Sequence, residues 1–185
     1  MNELNGMRVA ILAMDGFEEV ELTEPKKALE QAGAKVDVVS GEIGEIQGFK
    51  HHDKAGKVRA DRTIGNARPD DYDALMLPGG ALNADSARAN EHFRHFIREM
   101  DRAGKPIAAI CHAPWELISA GVVEGRKLTS WATIQDDIRN AGGRWEDREV
   151  VVDQNWITSR GPNDLPAFNR EMVARFAQAP AEARR

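Results

Sequence analysis

The stretch Lys105 to Gly121, KPIAAICHAPWELISAG, decides how the rest of the chain is read. Its four apolar residues, Ile107 to Ile110, predict a buried parallel strand. Pro114 to Ala120 predicts a helix with proline in its first turn and Gly121 as its stop. Cys111 and His112 fall on the turn between them. A strand that runs straight into a helix presents its turn residue at the carboxyl edge of a sheet, where open α/β folds bind ligands.

A thiol in that position faces unpaired N–H groups and the positive end of a helix dipole, both of which favour a thiolate. Cys111 is therefore expected to have a lowered pKa and to be nucleophilic. The same N–H groups suit an oxyanion or a carboxylate. Against this stands the ordinary role of a lone cysteine after a hydrophobic strand, that of a small buried hydrophobe.

Toward the N-terminus, Arg8 to Met14 (RVAILAM) is an apolar strand of the kind covered on both faces. Asp15 and the following GFEEVELTEP place five carboxylates, at positions 15, 18, 19, 21 and 24, after its carboxyl end. Helical spacing sets Glu18 and Glu21 on one face, able to turn toward the sheet edge, with Glu19 off it. The alternative is a solvated acidic first turn that complements the helix dipole. Thr23 and Pro25 mark a restart of the helix, which closes at Gly33. Lys35 to Ser40 is a second strand. Residues 41 to 65 form a polar, glycine-rich excursion with one short strand near 57 to 60, in which the adjacent His51 and His52 are surface residues.

Asp73 to Pro78 (DALMLP) is the next buried strand, and Gly79 and Gly80 let the backbone turn sharply at its end. Asn83 and Asp85 suit the cap of one helix over residues 86 to 104, with Phe93, Phe96, Ile97 and Met100 along a stripe. His92 and His95 are spaced to share a metal, but Glu91 and Glu99 lie four residues either side of His95 and make an ion-paired surface, so no metal is expected. Beyond the central stretch come a short strand at 127 to 130 and a helix (IQDDIRNAG) whose start is capped by Thr133 with Asp136. Short strands follow at 144 to 147, 149 to 152 and 156 to 159, the last two as a hairpin, and then an amphipathic helix over 164 to 177. Strands alternating with helices predict an α/β fold, a mostly parallel sheet wound on both faces with antiparallel additions near the C-terminus. In it the ends after Met14, Pro78 and Ile110 converge, gathering the early carboxylates, the double glycine and Cys111 around one crevice.

A chain of 185 residues suits one domain over 1 to 185, with flexible ends at 1 to 7 and 178 to 185. One cysteine excludes an intrachain disulfide, and Met1 to Met7 lacks the layout of a signal peptide, so a cytoplasmic protein is expected. No apolar run approaches the roughly 20 residues that cross a bilayer. A net charge of −5 with 25 scattered basic residues argues against nucleic acid as the main partner and for a small or proteinaceous substrate. No phosphate loop follows the first strand, which argues against a nucleotide-binding module, and no cofactor is expected.

With these pieces in order, the chain resembles the PfpI family, the intracellular-protease-like branch of the ThiJ/PfpI superfamily. The resemblance rests on AICHAPWELISAGVVEGRKLTS, GFEEVEL, LMLPGG, NAGGRWEDREVVVD and TSRGPNDLPAF, and covers about residues 8 to 177. It implies a flavodoxin-like sandwich of the class I glutamine amidotransferase type, in homodimers or larger assemblies. It implies Cys111 as nucleophile, His112 as its partner and Glu21 as the carboxylate that hydrogen-bonds the sulfur, with Glu18 one turn earlier in the same pocket. Gly79, Gly80, Ala113 and Trp115 would line the pocket or hold an oxyanion.

In protease-like members a carboxylate after the double glycine, from a neighbouring subunit, orients the histidine. Here that loop reads ALNADS, with Ala84 near the expected position and Asp85 one residue later, so Asp85 either takes that role or caps its helix. Ala113 stands where glycine is usual and Trp115 where glutamine is. The resemblance implies a stress-response protein acting on reactive carbonyls, as a glyoxalase or deglycase, or as a cysteine peptidase. A second reading is a redox-responsive sensor or holdase whose Cys111 is oxidised rather than catalytic.

Overall fold

The computed structural model describes residues 3 to 179. In chain order its elements begin with β1 (Arg8–Leu12), β2 (Phe17–Glu18), α1 (Glu19–Gln31), β3 (Lys35–Ser40), β4 (Gly44–Lys50), β5 (Asp53–Ala60) and β6 (Arg62–Thr63). Next come β7 (Ala74–Leu77), α2 (Ala81–Ala89), α3 (Glu91–Arg102), β8 (Ile107–Ile110) and α4 (Pro114–Ala120). The last third holds β9 (Lys127–Leu128), α5 (Gln135–Asn140), β10 (Arg144–Trp145), β11 (Val151–Asp153), β12 (Trp156–Ser159) and α6 (Leu165–Ala177).

Seven strands form the main sheet in the order β11-β12-β8-β7-β1-β3-β6, parallel except for β11 against β12. Alternate residues of the central strands enter two cores. Val9, Ile11, Met76 and Ile110 pack with Leu22, Leu29, Phe168, Met172 and Phe176, the inner faces of α1 and α6. Ala10, Leu12, Leu75 and Leu77 pack with Phe93, Phe96 and Met100 of α3 and Leu117 of α4. Each of the larger side chains among them contributes about 1.5–3 kcal/mol by leaving water. The doubly covered parallel sheet places the carboxyl ends of β1, β7 and β8 side by side, the arrangement that builds a crevice.

Several local expectations are corrected. The helix foreseen over 86 to 104 is two helices, because Asn90 adopts an extended conformation and its Oδ1 accepts from the N–H groups of His92 and Phe93, capping α3. Gly80 is the N-cap of α2, so Asn83 and Asp85 lie inside it. α1 runs unbroken through Pro25, with the Thr23 hydroxyl bonded back to the Glu19 carbonyl, and does not restart. The excursion after β3 holds a full antiparallel hairpin, β4 with β5, joined to β2. Thr133 sits inside a 3-10 turn (Ala132–Ile134) and makes no capping bond. β10 pairs parallel with β9 outside the main sheet. Leu4 and Met7 are fully buried, and Ala179 packs against the α1/α6 core. Of the expected flexible ends, residues 1, 2 and 180 to 185 lie outside the described residues. No helix among the described residues is long and apolar enough to cross a membrane.

Candidate active site

The site is built on a strained turn. Cys111 has φ +63°, the left-handed region that a residue with a Cβ avoids unless its surroundings enforce it. They do: its N–H donates to Ser159 O at 3.0 Å, and its carbonyl accepts from Trp131 N–H at 2.9 Å. The left-handed turn bends two consecutive side chains toward each other and brings His112 Nδ1 to 3.1 Å from Cys111 Sγ. Consecutive side chains normally diverge, so this contact depends on the turn.

Glu21 enters from α1. It is fully buried, and neither carboxyl oxygen makes a hydrogen bond of normal geometry. Burial first and the neighbouring Glu18 second push its pKa up to about 8; the Cys111 side chain and the Gly79 N–H draw it down by less. It is therefore a neutral acid at pH 7. Cys111 is 6% exposed. Burial, and then any charge on Glu21, pushes its thiol up, while the N–H groups of Gly80 and His112 draw it down. This corrects the expected thiol acidity: α4 has only seven residues and starts three residues beyond Cys111, so its dipole does not offset desolvation. Burial also lowers His112, leaving a neutral imidazole. Cysteine and histidine thus rest uncharged, side by side.

The two glycines have separate reasons. A Cβ on Gly79 would collide with the Glu21 carboxyl and come within 2.5 Å of Cys111 Cβ. Gly80 has φ +90°, and a Cβ there would strike the main chain of Gly16, Phe17 and Glu18. Gly79 lets the acid reach the thiol, and Gly80 lets the β1–β2 turn close over both.

Above these groups opens a cavity of about 490 Å³ with Cys111, His112, Glu18, Glu21 and Gly80 at its base. One wall is the β4–β5 hairpin, which contributes Phe49, His51 and His52. Three of the early carboxylates hold that hairpin by its main chain: Asp15 accepts from Gln47 N–H at 2.7 Å, and Glu18 from His51 N–H and Glu19 from Gly56 N–H, each at 2.9 Å. Leu82, Trp131 and Pro162 complete the lining. The acidic segment thus has two uses, one acid at the sulfur and three anchors for a wall.

Residues 7 to 175 match the model of the DJ-1/PfpI family. The chain belongs to this family. It is similar to Deglycase TK1284 of Thermococcus kodakarensis, with 47% identity over 90% of this chain and 98% of the relative. Protein/nucleic acid deglycase 2 of Escherichia coli is 43% identical over 90% and 95%, and General stress protein 18 of Bacillus subtilis 40% identical over 91% and 97%. Among solved structures, a two-domain protein of Anabaena variabilis with DJ-1/ThiJ/PfpI-like and ferritin-like domains superposes with a TM-score of 0.88 at 34% identity, covering 95% of this chain and 49% of that one.

In this DJ-1/PfpI chain the structure gathers Cys111, His112, Glu21, Glu18, Gly79 and Gly80 in one place. Asp85 is not among them: it is exposed on α2 and does not border the cavity. Ala113 and Trp115 stand behind the cavity instead of lining it. Ala113 is the buried N-cap of α4, and Trp115 bonds Asp137 Oδ2 through Nε1 at 2.7 Å. Arg160, just after β12, pairs with Asp147 and Asp164 and does not line the cavity. His92 and His95 are exposed on α3, and no cluster of three potential metal ligands occurs among the described residues.

Sequence reasoning missed Trp131, the hairpin residues and Asn83. Buried Asn83 accepts from Met14 N–H at 2.6 Å and donates to the carbonyls of Pro78 and Gly79, both at 3.1 Å, tying the end of β1 to the double glycine. Asparagine just after a glycine pair was the available signal for that tie. Nothing local pointed to Trp131.

Proposed function

We propose that this chain is a cysteine-dependent enzyme of the stress-protective PfpI type that acts on small reactive carbonyls or glycated groups. The observation that carries the reading is the 3.1 Å contact between Cys111 Sγ and neutral His112 Nδ1 at the base of an open cavity. Because both partners rest neutral, the proton leaves sulfur as the S–C bond forms, with His112 as general base. The carbonyl π bond breaks, and the proton taken by His112 passes to the new oxyanion, giving a hemithioacetal with no oxidant or reductant consumed. The N–H groups of Gly80 and His112, beside the sulfur, are the donors for that oxygen. The deglycase and general stress protein names of the relatives agree with this reading. A bounded cavity favours a small substrate over an extended peptide, which makes peptidase activity the weaker form of the reading. A homodimer and a cytoplasmic setting belong to the same proposal. Leu82 and Trp131, 60% and 40% exposed beside the cavity, support self-association, and a free thiol suits a reducing compartment.

The test is methylglyoxal consumption by the wild type, Cys111→Ser and His112→Ala. Loss in Cys111→Ser and a drop of at least about 100-fold in His112→Ala support the enzyme. Undiminished turnover in Cys111→Ser, with lost protection against peroxide, would instead make Cys111 a redox sensor.

A further inference from the structure

A histidine that takes a proton from a neighbouring nucleophile needs a third group to fix its ring. Among the described residues no carboxylate bonds the His112 side chain; its one hydrogen bond is the contact with sulfur. What holds the ring is aromatic. Trp131 lies on its face, with centroids 5.9 Å apart and planes at 24°, and Trp115 meets it edge-on at 5.3 Å and 64°.

Both indoles are themselves held. The Trp131 main-chain N–H donates to the carbonyl of Cys111, which fixes the backbone that carries the ring over His112. Behind Trp131 is the backbone of Gly161, where an added Cβ would come 3.2 and 3.3 Å from the indole ring. Trp115 is tied through Nε1 to Asp137, and the Arg88 guanidinium lies 5.3 Å from its ring. His112 is therefore confined between two fixed aromatic surfaces with Nδ1 toward the sulfur.

We infer that Trp131, with Trp115, is a positioning group for His112, an aromatic clamp supplied by the same chain. The inference rests on His112 acting as the base for Cys111. Besides fixing the ring, the clamp keeps water from it, which agrees with the neutral state that burial imposes.

The test reads the thiol directly, so that it stands apart from the identity of the substrate. The rate of Cys111 alkylation by iodoacetamide is measured at pH 7 for Trp131→Ala, Trp131→Phe and Gly161→Ala, each in the wild-type and His112→Ala backgrounds. Trp131→Ala is expected to slow alkylation about 10-fold in the wild-type background and less than about 2-fold once His112 is gone, the signature of a residue acting through another. Trp131→Phe, which keeps a ring on the imidazole, is expected to restore most of the rate. Gly161→Ala changes none of the chemical groups, and by pressing Trp131 off its seat it is expected to slow the reaction several-fold. Gly161 is extended, so alanine fits its backbone, and this variant serves if Trp131→Ala fails to fold.

An unchanged or faster rate in Trp131→Ala, an equal loss in both backgrounds, or a loss produced by Asp85→Ala in place of Trp131→Ala would overturn the inference. If the clamp result holds while methylglyoxal is not consumed, only the carbonyl reading fails.

Discussion

The Glu21 carboxyl and the Cys111 thiol each shift the other's titration: a charge on Glu21 drives the thiol pKa up, while the nearby thiol draws Glu21 down. Gly79 makes this possible, because any side chain there would occupy the space between them.

Thiol reactivity therefore has an unusual pH profile. Below about 8 Glu21 keeps its proton and imposes no charge on the sulfur; above it, the carboxylate opposes thiolate formation. Cys111 alkylation in the wild type is expected to climb with pH and flatten near that value. In Glu21→Gln the flattening disappears and the rate follows a lone thiol. Superimposable profiles would remove Glu21 from the thiol's electrostatics.

Glu21 also links stability to pH. Its folded pKa of about 8 lies above its ordinary value of 4.5, so between these limits the folded chain binds more protons than the unfolded chain. Stability from this group is complete below the lower limit and is lost as pH rises through the upper one. The loss is on the order of a few kcal/mol. Glu21→Gln, compared with the wild type by urea unfolding, should gain relative stability from pH 5 to pH 9. A constant difference across that range would contradict the assignment.

Glu116 of α4 is fully buried, both its oxygens lack partners, and burial alone raises its pKa well above the ordinary value. Even as a neutral acid it leaves hydrogen bonds unmade. Glu116→Leu, of similar volume, should stabilise the protein by about 1–3 kcal/mol. In a calorimetric scan at neutral pH the midpoint should rise by about 2–4 °C for each kcal/mol gained. A lowered midpoint would show that the acid has a partner or a task.

Asn83 satisfies three main-chain groups at once. Asn83→Ala leaves buried donors and acceptors empty and should cost about 2–4 kcal/mol in denaturant unfolding, since each unmet group costs about 1–3 kcal/mol. It should also loosen Gly79 and Gly80 and slow Cys111 alkylation. A loss below about 0.5 kcal/mol would mean the turn holds itself.

The central strands were legible because apolar runs such as ALML and IAAI have no alternative in a doubly covered sheet. The inward turn of Glu21 was legible from helical spacing; Glu18, paired with it on that spacing, instead belongs to β2 and sits at the cap of α1. The break at Asn90 was not, because the stripe of Phe93, Phe96 and Met100 dominates its segment and a cap inside a run of helix formers carries little weight. The hairpin was hidden because β5 is exposed over most of its length and shows no alternation. Thiol acidity was misjudged because the helix dipole can be read from local sequence, whereas burial is a property of the assembled fold. The stacking of Trp131 on His112 is non-local, created where the chain returns to the Cys111 carbonyl.

Asp15, Glu18 and Glu19 grip the hairpin over the sulfur by its amide hydrogens. A grip on the peptide backbone is indifferent to side-chain identity, so Phe49, His51 and His52 can be exchanged without releasing the wall they stand on. Chemistry and selectivity are thereby uncoupled: the reactive floor stays fixed while the facing panel can be rewritten for a different guest.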